Sequence, residues 1–255
     1  MTQERELANS LIDFIHSSPS PFHVVSNIRT LLAAKGFREL QLTERWNIAE
    51  GGRYFITSND SALIAFVVGS RRVEEEGFRL VAAHTDTSSF RIKPSPEMVV
   101  EKAYLILNTE TYDQPILNTW LDRPLSMAGR VSLKSDDPFH PEVRLVHFER
   151  PILIIPNQSL HMNRTVNEGI ELNKQKDMLP LLARVAEGFE KDGFVAGLLA
   201  EQLGVDVARV VDFDLFLHEH ERGCVVGLNN EFISCTRLDD LAMVHAGLHA
   251  FLDAT

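Results

Sequence analysis

Phe78-Arg79-Leu80-Val81-Ala82-Ala83-His84-Thr85-Asp86 is the stretch on which the reading of the fold turns. It opens as a short apolar run of strand length, set off from the preceding charged residues by Gly77. The run ends on a histidine, and an aspartate follows two residues later. Open α/β sheets collect their ligands at the carboxyl ends of strands, so a site is expected here. His84 is therefore a candidate zinc ligand, with Asp86 as the group that orients and polarises its imidazole from behind. The competing reading is a histidine merely hydrogen-bonded at a strand end.

Upstream, Leu7, Leu11, Ile12, Phe14 and Ile15 recur at helical spacing and predict a helix from about Thr2 to His16. Ser17-Ser-Pro-Ser-Pro21 breaks it. Ser20 and Pro21 supply an N-cap and a first-turn proline for a second helix, which Lys35-Gly36 closes. From Arg53 the period changes to strands at Tyr54 to Thr57 and Ala62 to Val68. A charged loop, Gly69 to Gly77, leads into the quoted run at Phe78 to Ala83. Downstream of Pro94 the predicted strands are Tyr104 to Asn108, Gly129 to Leu133, Arg144 to Phe148 and Ile152 to Ile155. Helical stretches follow at Asp177 to Lys191 and Ala196 to Gly204, then a strand at Val210 to Leu217. A last helix, Leu238 to Asp253, carries Leu241, Val244, His245 and Leu248 on one face. The middle of the chain reads as a separate lobe.

Three other groups of residues are candidates for chemistry. Thr236-Arg-Leu-Asp239-Asp240 places paired carboxylates just before the last helix, where one carboxylate can give an oxygen to each of two cations. The plain alternative is favourable placement of acids at a helix N-terminus. His218 and His220 alternate with Glu219 and Glu221, so on a strand the two imidazoles share a face and can chelate zinc. A polar, exposed strand end is the alternative there. His161, in Ser159-Leu-His-Met-Asn-Arg164, gains no role from residue chemistry alone. Trp120, in the stretch Tyr112 to Arg123, is either an aromatic anchor or part of an interface.

Composition narrows the classes further. The chain has 255 residues with 25 Lys plus Arg against 36 Asp plus Glu, a formal charge of -11. This balance argues against a nucleic-acid backbone as partner and against an anionic membrane surface. Its apolar runs are too short to span a bilayer, and the polar N-terminus has no signal-peptide core. The 2 cysteines, Cys224 and Cys235, make no disulfide framework or Cys-x-x-Cys pair, so a cytoplasmic location is expected. There is no Gly-x-Ser-x-Gly elbow and no glycine-rich phosphate loop. Metal-assisted hydrolysis is the enzymatic class that survives.

Taken in order along the chain, several stretches resemble the aspartyl aminopeptidase family of dinuclear zinc metallopeptidases. They are Ser18-Pro-Ser-Pro-Phe-His23, Ala82-Ala-His-Thr-Asp-Thr87, Asn118-Thr-Trp-Leu-Asp-Arg123 with Ala128-Gly-Arg-Val131, and Glu149-Arg-Pro-Ile-Leu-Ile-Ile-Pro156. Leu160-His-Met-Asn-Arg164 and Thr236-Arg-Leu-Asp-Asp240 complete the set. The resemblance implies an α/β fold: an α/β/α zinc-peptidase catalytic domain interrupted by a mostly β dimerisation domain. Residues 1–94 and 224–255 would form the catalytic domain and 95–223 the insertion. It further implies His84 and Asp239 as metal ligands, Asp239 bridging two Zn2+ ions, and Asp86 as the partner of His84. Two such metals, about 3.5–4 Å apart, polarise a carbonyl and ionise a shared water. His161 would reach from the insertion of one subunit into the substrate site of its neighbour, within a homo-oligomer acting on peptides that begin with acidic residues. In the family a later strand brings a general-base glutamate and a ligand glutamate, then an aspartate and a histidine. No residues here match those positions, so the catalytic domain is expected to be incomplete. A catalytically silent subunit that assembles through the insertion is the alternative, and a zinc module built on His218 and His220 a third reading.

Overall fold

The computed structural model describes residues 3–169 and 171–255; Thr2, the expected start of the first helix, lies outside them. The chain begins with helices α1 (Gln3–His16) and α2 (Pro21–Ala34), strands β1 (Arg38–Glu39), β2 (Arg53–Ser58) and β3 (Ala62–Val67), and a short helix α3 (Val73–Glu76). Strands β4 (Ser89–Val100), β5 (Tyr104–Tyr112), β6 (Leu125–Leu133), β7 (Glu142–His147) and β8 (Leu181–Arg184) come next. Helix α4 (Phe194–Leu203), strands β9 (Val210–Glu219), β10 (Cys224–Val226) and β11 (Phe232–Ser234), and helix α5 (Leu238–Asp253) complete it. The chain divides into two compact units: residues up to Thr87 together with Arg222–Thr255, and Ser88–Glu221.

In the first unit, β1 runs parallel to β2 and β2 antiparallel to β3, in the order β1-β2-β3. Asn59 and Asp60 both take positive φ in the three-residue connection Asn59–Ser61, where Ser61 N–H donates to the Ser58 carbonyl. Helices α1, α2 and α5 bury Ile15, Ile28, Leu32, Leu241 and Val244 in one cluster with Phe37 and Phe55. Ser20 stands at the N-cap of α2, but its hydroxyl makes no cap bond and lies 2.8 Å from His23 Nδ1. Gly36, at φ 82, lets the chain leave α2, as its residue type predicts. Between α1 and α5, Ser10 Oγ lies 3.0 Å from His245 Nε2, and Arg237 Nη2 donates to the Ile15 carbonyl at 2.8 Å.

The expected strand at Phe78 to Ala83 does not form. Residues 78–87 are irregular, and Phe78, Leu80 and Val81 are 76%, 85% and 78% exposed. A run that is apolar on both faces needs a strand beside it before its backbone is satisfied, and no described segment pairs with it. The charged loop ahead of it is solvated: Arg71 pairs with Glu76 and Arg72 with Glu74 at the surface.

The second unit is a 6-stranded antiparallel sheet of order β7-β6-β9-β4-β5-β8. Along β6, Leu125, Met127, Val131 and Leu133 alternate onto one face and are fully buried with Phe90, Leu107 and Leu217. Gly129 fits the same ladder because its backbone lies against β9: a Cβ there would sit 2.0 Å from the Asp214 carbonyl oxygen. Strand β4 has no counterpart among the expected strands, and it carries Pro94 and Pro96, each without a ladder donor. The register shifts between Ile92 and Glu97, and β4 meets β9 only at Arg91↔Phe216, so the prolines need no ladder bond on that side. Helix α4 covers this sheet; Glu97 Oε1 accepts from the Val195 N–H at 2.8 Å, which satisfies a first-turn donor.

Two expectations fail in this unit. The helix at Asp177 to Lys191 is replaced by turns and by β8, whose Leu181 and Ala183 pair with Ile106 and Leu105 of β5. Pro180 leaves no donor to a helix, and a long-range ladder outweighs the helical spacing of the leucines. Ile152 to Ile155 gives only isolated bridges, Leu125↔Leu153, Leu121↔Ile155 and Ile154↔Leu181, rather than a strand.

Candidate metal centre

The start of α5 is not an ordinary helix N-terminus. Arg237 takes a left-handed conformation at φ 55, ψ 27. Asp239 (φ -88, ψ 110) and Asp240 (φ -115, ψ 16) are non-helical, and the peptide between them is cis. Both carboxylates lie beside His84, 156 residues away in sequence from Asp240. Asp240 Oδ2 accepts the His84 backbone N–H at 3.0 Å, so it anchors the irregular segment at His84 instead of capping α5.

The imidazole is held at Nδ1 and faces carboxylates at Nε2. Nδ1 lies 2.9 Å from the Asp86 carbonyl oxygen and 3.3 Å from its carboxylate Oδ1. A proton on Nδ1 is thereby fixed, which leaves the Nε2 lone pair directed at Asp239 Oδ1, 3.2 Å away, with Asp240 Oδ2 at 3.8 Å. Asp86 acts chiefly through its main chain, an acceptor that the pattern His-x-Asp does not reveal. Thr85 Oγ1 donates to the Ser61 carbonyl at 2.8 Å and ties this segment to the turn before β3.

Desolvation is the largest influence on the His84 pKa and pulls it down. The hydrogen bond to Asp86 and the charges of Asp240, Asp86 and Asp239 together outweigh it, and the pKa is raised above 6.5. The centre is thus built to hold a positive charge. His84, Asp239 and Asp240 each offer one ligand atom, all within 4.8 Å of one another, and the group is the one of its kind among the described residues. Tetrahedral zinc with N and O ligands at about 2.0–2.2 Å spaces its ligands about 3.4 Å apart. The 3.2 Å between Nε2 and Asp239 Oδ1 matches that, so these residues fit a zinc ion. Asp239 is the more open of the two carboxylates, at 92% side-chain exposure against 18% for Asp240.

The other candidates fall elsewhere. His218 is buried, against the expectation of an exposed strand end, and its ring packs 5.0 Å from that of His147. Glu219, on the opposite face, pairs with Arg123. His220 follows the end of β9 and joins no metal-binding group of the described residues. Trp120 anchors the second unit's core edge-on to Phe90 at 5.1 Å. His161 is exposed in a turn-rich segment of the second unit. Asp240 joins this cluster beside the two ligands expected from sequence, and the adjacent carboxylates were the signal for it.

The chain thus combines an α/β unit, which carries the His-Asp-Asp cluster at the head of a helix, and an antiparallel β unit. The family described as "Aminopeptidase I zinc metalloprotease (M18)" matches residues 14–255, and the chain belongs to it. A Clostridium acetobutylicum protein described as "Probable M18 family aminopeptidase 2" is 51% identical over 254 residues, covering 100% of this chain and 59% of its own length. In the "Cryo-EM structure of the Ape4 and Nbr1 complex" a chain matches with TM-score 0.90 and 30% identity, over 98% of this chain and 50% of that one. The "Structure of S. cerevesiae mApe1 dodecamer" shares the fold at TM-score 0.82 and 24% identity, covering 98% of this chain and 56% of that one. The chain spans well under two thirds of the length of these relatives. No helix of the described residues is long and apolar enough to cross a membrane.

Proposed function

We propose that the chain serves a zinc aminopeptidase that releases N-terminal residues, acidic ones by preference, from peptides, and that His84, Asp239 and Asp240 form its part of the metal centre. One observation carries this reading: an imidazole nitrogen and two carboxylates converge from distant parts of the sequence, with the second imidazole nitrogen already committed to Asp86. Asp86 keeps the proton on Nδ1, so Nε2 is the donor atom. Asp240 holds the His84 backbone in place, and Asp239, the exposed carboxylate, is the group free to bridge toward a second ion. Zinc in such a centre supplies Lewis acidity toward a scissile carbonyl. Family membership supports the reaction class; the S. cerevesiae relative is a dodecamer, and we assign self-association of this chain to the Ser88–Glu221 unit. His161, exposed in that unit, is the residue we assign to reach a neighbouring subunit's substrate.

A second reading is a silent assembly subunit. The described residues supply ligands for one ion, where the dinuclear reading requires more. The test is an aminopeptidase assay with zinc and peptides beginning in Asp, Glu or Leu. Chelator-sensitive turnover, fastest on Asp or Glu, is expected from the first reading. An oligomeric chain that binds no zinc at His84 and Asp239 would replace it with the second.

A further inference from the structure

A groove of about 620 Å³ opens in the Ser88–Glu221 unit between the Arg150–Ile154 segment and β8. Ile152, Leu182, Phe194 and Leu198 give it an apolar lining, and Arg150 and Arg184 stand beside them. We propose that this groove docks an extended acidic segment of a partner polypeptide. The inference is independent of the peptidase reading.

Two features point to that occupant. The first is the backbone: β8 is the last strand of its sheet, and on its outer side it is held to Ile154 by a single bridge. Leu181 N–H donates to the Ile154 carbonyl at 2.7 Å and Ile154 N–H to the Leu181 carbonyl at 3.2 Å. Beyond that bridge, among the described residues, no strand covers the edge. An extended peptide satisfies such an edge by adding a strand, while its alternate side chains enter the apolar lining.

The second feature is charge. Arg29, Arg71, Arg72, Arg91, Arg123, Arg130, Arg144, Arg209 and Arg222 all pair with acids. Arg150 and Arg184, like Arg5, Arg45, Arg79 and Arg164 elsewhere, pair with no described carboxylate, and they are the two arginines that line the groove. Exposed guanidinium groups flanking an apolar trough match carboxylates that flank an aliphatic anchor. A second copy joined symmetrically through β8 would set Leu181-Leu-Ala-Arg184 against itself and bring no carboxylate from that strand to either arginine. A fatty acid would fill the trough but offer one carboxylate and no backbone.

The test is fluorescence anisotropy, in chelator, with a fluorescein-labelled, N-acetylated Glu-Leu-Val-Leu-Glu peptide that an aminopeptidase cannot trim. The wild-type chain is expected to bind it. Binding should weaken about tenfold in the Arg150→Glu/Arg184→Glu variant and by a similar factor when alternate peptide nitrogens of the probe are methylated. Equal binding of a probe with Lys for Glu, an unchanged Kd in the double variant, or no binding by wild type would overturn the proposal. So would displacement of the peptide by laurate, or a probe-induced change of oligomeric state, which would give the groove to a lipid or to a second copy. The Lys-for-Glu probe is read on wild-type protein, so the test does not depend on the folding of the variant.

Discussion

The two units satisfy their sequences to different degrees. In Ser88–Glu221 the ladder closes on itself: β6 has a partner on each side, and Leu125, Met127, Val131 and Leu133 are fully buried. In the unit that holds the candidate metal centre, an apolar run, Phe78 to Ala83, lies exposed without a ladder. The lesson concerns pairing. A strand is a property of at least two segments, so apolar composition alone fixes neither its formation nor its burial. The candidate metal centre sits at the end of that exposed run, which is held by polar contacts to Asp86, Asp240 and Ser61.

The sharpest way to break this contrast is to damage each unit in turn. Gly129→Val should be the most disruptive, because its Cβ would meet Asp214 and Leu215 backbone at 2.0–2.9 Å. We expect a loss of at least about 3 kcal/mol in urea unfolding, and Leu125→Ala should cost about 3 kcal/mol by leaving a cavity. A cost below about 1 kcal/mol for either would mean that the sheet is not the stable part.

The next effect is pH-dependent and belongs to the first unit. His245 is buried, and burial first and His249 second push its pKa down to about 4. Above about pH 6.5 it is neutral folded or unfolded and adds no pH dependence. As pH falls from there toward 4, the unfolded state takes up the proton first, and stability drops by the order of 3 kcal/mol. Unfolding midpoints between pH 7 and 4.5 should show that slope, and His245→Leu should flatten it. A wild-type midpoint independent of pH would remove His245 from the α1–α5 contact as a titrating group.

Smallest of all, Leu80→Ala should change stability by less than about 0.5 kcal/mol, since its side chain is already in water. A change as large as that of Leu125→Ala would show that the run is buried in solution.

Much of this was legible in advance, where local chemistry decides. Helix α5 begins at Leu238 and ends at Asp253 as its apolar face and flanking residues predict, and β2, β3, β5 and β6 fall in their expected runs. What was hidden depends on distant partners. Strand β8 reads as helix until β5 pairs with it, and β4 carries two prolines that a register shift and a one-sided pairing accommodate. The same holds for the site. His84 and the paired aspartates stand out by residue type, but nothing in the sequence says that Asp86 acts through its carbonyl or that Asp240 binds a main-chain N–H. Those are consequences of a backbone that leaves helical geometry for two residues before α5 proceeds.

The most direct test of the account is a calorimetric zinc titration of the chain, its His84→Ala and Asp239→Ala variants, and a His218→Ala/His220→Ala variant. We predict that the first two variants bind zinc at least about 100-fold more weakly than wild type, whereas the last binds normally. Because the raised pKa of His84 makes a proton compete for Nε2, wild-type affinity should also climb as pH rises through that pKa, with proton release on binding. Unchanged affinity in both His84→Ala and Asp239→Ala, or loss of zinc only in the His218→Ala/His220→Ala variant, would contradict the assignment.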